Sequence, residues 1–427
     1  MNKAYFNKVI MLGITTALCV ISLSGCSVKK GEDVKTDVTV IENNALEQPL
    51  QITSVKGDGT DYQAYWGTKV QCVTKGEHGY YYLTLENPLY LMYFDDETQE
   101  SIKVCGKAEC NHDNAQCNAY FGDIRWYDKK AEEQEYSSGQ QLYYYNGLLY
   151  LLGTEGNLIS VTPDGSERKK IANVYTYDGS SNTKLAFYDN YVYVYNSAGN
   201  QGSSETHTET IKRYSLDGKT QENIVEWNAV SGAIHSVKNY GDKMFFLTSS
   251  LKVKKEDSVQ EWNYEYNGLY AYDHKTAQAG KVIDAAITGY AVDEEREKIY
   301  YFVYGDGLYA YDVKTGQADK LFESPEEIGI ADMSYDGQYL YLYNGEWASY
   351  AKQTNGTSLQ RQCWVLEPDG TIVQQLEIYR YGFCFFGDRD YIFAEQMVPN
   401  AQTGEPEMKL TYMEKAELLS GQWKVLE

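Results

Sequence analysis

No stretch of this chain carries a sustained 3.6-residue apolar period, which excludes a helical architecture and leaves strands to build the fold. The N-terminal apolar run, Val9 to Leu23, is too short to cross a membrane. It has roughly 15 residues where a spanning helix needs roughly 20, and Gly13, Thr15, Thr16 and Ser22 interrupt it. Basic charge is scarce: 38 Lys+Arg against 61 Asp+Glu leave a net charge of −23, which repels nucleic acid and anionic head groups and excludes a nucleic-acid function. Catalytic punctuation is missing as well. His78, His207, His235 and His274 are scattered, and none stands beside a serine, cysteine or acid pair in a nucleophile motif. The acidic GDGTD at Gly57 to Asp61 lacks the ligand spacing of a calcium loop. The chain therefore reads as a non-enzyme.

What is present begins with Lys3 and Lys8 ahead of the apolar run, which ends in Leu-Ser-Gly-Cys at Leu23 to Cys26. This is the layout of a secretion signal, and the last four residues resemble the bacterial lipobox. That resemblance implies a signal peptide over 1–25, a diacylglyceryl group on Cys26, and a mature chain held on the outer side of a bacterial membrane by its lipid. Removing the signal takes away two lysines and no acid, so the mature chain is more negative still. Residues 26–48 are polar and charged without an apolar period, and read as a flexible tether.

Beyond the tether, over 49–427, the sequence repeats. One edge of the repeat is a strand, a tight turn and an aromatic strand, as in YYYNGLLYLL from Tyr143, FYDNYVYVY from Phe187 and SYDGQYLYLY from Ser334; it occurs seven times. A second hairpin follows each copy, as in NLISVTPDGSERKKI and GLYAYDVKTGQADKLF. Four short antiparallel strands per unit, repeated at roughly 40 to 55 residues, predict an all-β fold: a β-propeller of seven blades. A β-sandwich would not repeat one two-turn pattern seven times, and the interval Cys105 to Gly139 lacks the hairpin pair an eighth blade requires. The 42 tyrosines suit blade interfaces that are apolar on the ring and wet at the hydroxyl. Leu50 to Lys56, reading LQITSVK, is expected to add an outer strand to the last blade.

Segments such as NGLYAYDHKTAQAGKVI and GLYAYDVKTGQADKLF give the chain, from Trp66 to Glu427, a resemblance to the prolow-density-lipoprotein-receptor-like propeller domains of secreted bacterial lipoproteins. The resemblance implies the propeller fold alone. The Tyr-Trp-Thr-Asp repeat of the receptors and the Asp box of sialidase-like propellers are both absent, so no ligand or catalytic residue carries over.

In such a blade the first-to-second and third-to-fourth turns share one rim, and the second-to-third loops and interblade links share the other. The first class is uniformly tight here, while the second carries every long insertion: in blades three, four, six and seven, and in the link at 105–139. Binding residues concentrate on long loops. The loop-bearing rim is thus the expected working face, with Trp126, Trp262, Tyr264, Trp347 and Tyr350 as contacts for a carbohydrate or peptide. Two alternatives stand beside this binding protein: a scaffold or sensor whose rim docks another envelope protein, and a glycan-active lyase or hydrolase, which would need ionisable groups converging at the channel mouth.

The 105–139 insertion opens with Cys105, Cys110, His112 and Cys117, spaced C-x4-C-x-H-x4-C. Cys₃His is a donor set that structural zinc accepts. The competing reading is disulfides, which would send one of these thiols to Cys72, Cys363 or Cys384. Cys72 and Cys384 fall on the innermost strands of the first and last blades, where they either pair with each other or pack as small apolar groups. Zinc and disulfide would both staple a long loop that has no core of its own, and free thiols, the third reading, would leave it without one.

Overall fold

The computed structural model describes residues 40–57, 72–85, 88–122, 141–152, 157–174, 183–196, 205–256, 259–324, 331–344, 360–379, 384–385 and 387–426. They form a β-propeller of seven blades, each four consecutive antiparallel strands, over residues 73–103, 142–173, 183–230, 233–283, 287–323, 331–379 and 384–425. The tight-turn chemistry explains the innermost hairpins. In blade two Tyr145 pairs with Leu148 across Asn146 and Gly147, both at positive φ (48° and 73°). Asp189 and Asn190 repeat this in blade three, at 43° and 63°. Both are two-residue loops whose twist matches the flanking strands.

Tyrosine fills the interfaces between blades. Tyr80, Tyr82, Tyr193, Tyr270, Tyr290, Tyr300 and Tyr341 are fully buried, and the hydroxyls of Tyr80, Tyr193, Tyr270, Tyr290, Tyr300 and Tyr341 find partners. Tyr290 donates to the carbonyls of Ser236 (2.6 Å) and Phe245 (3.0 Å), for example, and Tyr341 to Asp336 (2.7 Å). The ring closes without exchange of a strand: Tyr80 and Phe94 of blade one pack against Tyr391, Phe393 and Tyr412 of blade seven. Gln99 donates to Glu414 at 3.0 Å across the same seam.

The tight-turn rim is knitted from blade to blade by polar contacts. Lys75 of blade one pairs with Asp388 of blade seven, which also accepts from the Tyr80 hydroxyl at 2.8 Å. Lys415 of blade seven pairs with Asp336 of blade six, both buried. Arg296 of blade five donates to the Tyr335 hydroxyl of blade six at 2.6 Å.

Between blades three and four the link is His274. Its ring stacks on Tyr188 with centroids 3.9 Å apart; Nδ1 accepts from the Tyr193 hydroxyl at 3.2 Å, and Nε2 donates to Asn239 Oδ1 at 2.8 Å. These contacts assign the neutral tautomer with its proton on Nε2. Burial first, and the nearby Arg213 charge second, lower its pKa to about 3. The folded-state value lies below the unfolded value of roughly 6.5. The contribution to stability is therefore complete above pH 6.5 and is lost as pH falls toward 3, on the order of 5 kcal/mol in full, roughly half of it above pH 4.5. Urea unfolding between pH 7 and 4.5 is expected to show that loss, and His274→Gln to flatten it while lowering stability at pH 7. Equal slopes in both proteins would remove His274 as its source.

The N-terminal segment departs from expectation. Leu50 to Lys56 does not complete the last blade, and 40–48 does not behave as tether. Residues 40–57 run as a strap across the outer strands of blades three and four to blade five. Ile41 forms a parallel bridge to Val225, and Asn43 exchanges hydrogen bonds with the backbone of Asn228 (2.9 and 2.7 Å). The short helix Asn43–Leu46 buries Leu46. Pro49 bridges Lys281 of blade four, whose ammonium also pairs with Glu47 at 2.7 Å, and Ser54 donates to Glu297 of blade five at 3.2 Å. The physical reason is that the outermost strand of each blade presents an open edge, and the strap covers two of them.

Candidate metal centre and loop-bearing rim

The Cys/His segment grows out of the outer strand of blade one. That strand is split: Ser101–Lys103 pairs with one half of the third strand, Leu89–Phe94, and Tyr120–Gly122 pairs with the other. Leu91 serves both halves, its carbonyl accepting from Val104 N–H (3.0 Å) and its N–H donating to Ala119 O (2.9 Å). Residues 105–119 are thus a compact excursion whose ends meet, an Ω-like loop with Cys105 and Cys117 at its neck. The expectation that this insertion joins the loop-bearing rim is corrected over these residues. They lie on the outer circumference because Tyr120–Gly122 resumes the outer strand after the excursion. The remainder of that link, 123–140, with Trp126, lies outside the described residues.

Blade two forms the other wall of this loop. A Cβ on Gly106 would meet Asp164 O at 2.8 Å, and one on Gly165, at φ 67°, would meet the Val104 carbonyl at 2.4 Å; only glycine permits that approach. Asn118 donates to Gly165 O at 2.8 Å, and Arg168 donates to Tyr120 O at 2.7 Å while covering the Phe121 ring at 3.9 Å. Glu109 and His112 hold left-handed backbone at φ 62° and 58°, conformations a non-glycine residue adopts at a cost that surrounding structure must offset. Tyr90 supplies part of that support by donating its hydroxyl to His112 O at 2.7 Å.

Inside the loop, the ligand atoms of Cys105, Cys110, His112 and Cys117 all lie within 4.8 Å of one another, and His112 Nδ1 is 3.2 Å from Cys117 Sγ. The sulfurs of Cys105, Cys110 and Cys117 stand unbonded to one another and converge with His112 on one point instead of pairing two by two. Burial opposes ionisation at Cys105. The backbone N–H groups of Lys107 and Asn118, together with the Cys117 and Cys110 thiols, overcome it and hold that thiol below its ordinary value. At Cys117 burial dominates and pushes the thiol up to about 11, although Ala119 N–H opposes it. Both neck cysteines thus receive an N–H from the residue two positions on, an arrangement that favours thiolate when a cation is present to share the charge. Three sulfurs and one imidazole nitrogen at these separations can hold a metal ion. With four protein ligands such an ion would keep no coordination position open for substrate, so its part would be structural.

Among the described residues no other cysteine joins this cluster. Cys72 is buried at the start of the innermost strand of blade one and Cys363 is buried in blade six, while the side chain of Cys384 lies outside the described residues.

On the loop-bearing rim the blade-four insertion is not a loop but a continuation of strands. Lys243–Glu256 and Val259–Asp273 stay paired from Ser249↔Tyr266 to Glu256↔Val259, a ribbon standing roughly 25 Å beyond the blade. Blade three answers with Thr206–Ser215 and Gln221–Val230, also prolonged on that side. Tyr264 is exposed, as expected of a contact residue, and Tyr266 stacks on Tyr304 of blade five with ring centroids 5.5 Å apart. Trp262 pairs in register with Val253, but its side chain lies outside the described residues, as do Trp347 and Tyr350 entirely.

Sequence reasoning missed a set of ionisable residues on the innermost strands. Lys184 lies on Thr183–Tyr188, His235 and Lys238 on Ala233–Tyr240, and Asp332 on Ala331–Tyr335, with both lysines buried. The available signal was a charge interrupting an otherwise apolar first strand, as in TKLAFY.

No protein-family model matches the chain, and no curated protein does. Among solved structures its fold is similar to that of an oligogalacturonate lyase in complex with manganese, with 12% identity, a TM-score of 0.46, and 86% of this chain and 98% of that one covered. An oligogalacturonate lyase from Vibrio parahaemolyticus matches at 13% identity and a TM-score of 0.45, covering 87% and 98%. A prolyl endopeptidase matches at 9% identity and 0.49, covering 86% of this chain and 50% of the other. At these identities the likeness is one of fold.

Proposed function

We propose that this chain is an extracytoplasmic binding protein, anchored to a membrane through lipid on Cys26, whose propeller captures a carbohydrate or peptide on the loop-bearing rim. The observation that carries this reading is the asymmetry between the rims: one is knitted shut by buried ion pairs and tyrosine hydroxyls, while the other raises a ribbon bearing exposed Tyr264. The Cys₃His cluster, in this reading, holds zinc. Soft thiolates with one imidazole suit that ion, and the closed donor set suits a staple.

Replacing Trp262 and Trp347 together by Ala is expected to abolish retention on a mixed glycan and peptide array while the Tm stays unchanged. Array binding that survives, with a lowered Tm, would assign both rings to loop anchoring and sink the reading.

A glycan-active lyase or hydrolase is the second reading, favoured by the ionisable residues Lys184, His235, Lys238 and Asp332 on the innermost strands. It is read in the same assay, as shortening of a bound glycan with time.

A further inference from the structure

We infer that Tyr264, Tyr266 and Tyr304 form a stacking platform for a neutral glycan chain, built jointly by the blade-four ribbon and the blade-five turn. This rests on the reading that the loop-bearing rim binds ligand, and it chooses between the two ligand classes left open there.

The argument starts from exposure. Among the described residues seven large apolar side chains are exposed; five are aliphatic and scattered over blades one, six and seven. The two aromatic ones are Tyr264 at 53% and Tyr304 at 49%, and both belong to this spot. A chain that buries so many of its tyrosines leaves these two in water although burial of such a ring is favourable. Tyr266 joins them: it lies two positions from Tyr264 and therefore on the same face of its strand, and its ring stacks on Tyr304 at 5.5 Å with planes 30° apart. Three rings in a row, each carrying a hydroxyl at its edge, match a chain of pyranose rings, which present C–H faces to stack and hydroxyls to hydrogen-bond.

Charge selects among glycans. The protein carries −23 overall, and around the blade-five turn Asp306 and Glu323 share Lys320 while Asp284 and Glu47 share Lys281, so four carboxylates stand against two ammoniums. An anionic polysaccharide is repelled there. Charge also disfavours a peptide added as a further strand. The ribbon carries the exposed ion pair of Lys252 and Glu265 (2.8 Å), charge of the kind by which exposed strands resist strand addition.

The test is affinity electrophoresis of residues 27–427 in gels containing soluble β-glucan, galactomannan or xylan as neutral probes and polygalacturonate as the anionic one. The proposal expects retardation by at least one neutral glycan. Tyr264→Ala with Tyr304→Ala should weaken it about tenfold or more at unchanged Tm, and Tyr264→Phe with Tyr304→Phe should largely retain it. Retention by polygalacturonate alone, equal retardation of the double alanine variant, or no neutral glycan bound would each overturn the platform. If peptides bind instead and that binding is lost with Trp262→Ala and Trp347→Ala, the platform fails and the working rim stands. Glycan binding unaffected in both the tyrosine and the tryptophan variants removes both.

Discussion

Replacing Lys415 by methionine is expected to destabilise the propeller by about 3–5 kcal/mol, because the ammonium is removed from a carboxylate that has no access to water. Lys415 and Asp336 are 3% and 0% exposed on their side chains. The lysine also donates to the Asp388 carbonyl, and Asp336 accepts from the Tyr341 hydroxyl and from the backbone of Gln338 and Tyr339. The pair therefore ties the last two blades together at the tight-turn rim, beside the Arg389 donation to Gly337 O at 2.9 Å. The large loss reflects the charge left behind rather than the attraction itself. Asp336→Asn combined with Lys415→Met should accordingly lose much less than the two single changes added together. Urea unfolding with m-values unchanged measures both; a loss below about 1 kcal/mol for the single variant would mean that water reaches Asp336.

Zinc binding at the Cys₃His loop, proposed above, carries the second large expected effect. At free zinc a hundredfold above its Kd, binding is expected to stabilise the folded chain by about 3 kcal/mol, an increment that chelation removes. Its pH dependence follows from the chemistry. Zinc requires deprotonated thiols, and Cys117 starts from about 11, so loading releases protons and affinity falls steeply as pH drops. Structural damage should stay local. The neck at Leu91 and the seat on Gly165 persist without the ion, so the chelated protein is expected to be cleaved by trypsin at Lys107 first, with the blades intact. Cleavage unaltered by chelation, with no change in Tm, would contradict the staple.

Where this architecture was legible in the sequence, the signal was local. Asn146-Gly147 and Asp189-Asn190 marked two-residue turns, aromatic alternation marked strands, and their sevenfold recurrence marked blades. The Cys₃His set was legible for the same reason, since four donors within thirteen residues need only one loop to converge. The strap was not: Ile41 meets Val225 and Pro49 meets Lys281 across long stretches of chain, through single parallel bridges that impose no period on either segment. Placement of the metal loop on the circumference depended on Tyr120–Gly122, a three-residue strand without a turn signal. The blade-four ribbon was readable in hindsight, because Leu251 and Val253 alternate with lysines, and Trp262, Tyr264 and Tyr266 with polar residues. Lys184 and Lys238 interrupt otherwise apolar strands, but their burial depends on closure of the ring, which no local pattern carries.

The measurement that bears most directly on the metal centre is native mass spectrometry of residues 27–427 purified without oxygen and without added metal. A single bound zinc raises the mass by about 63 Da net of displaced protons, whereas each disulfide lowers it by about 2 Da. The account predicts one zinc per chain in the parent protein and none in Cys110→Ser. A chain with no adduct and a mass lowered by disulfide formation among Cys105, Cys110 and Cys117 would contradict it.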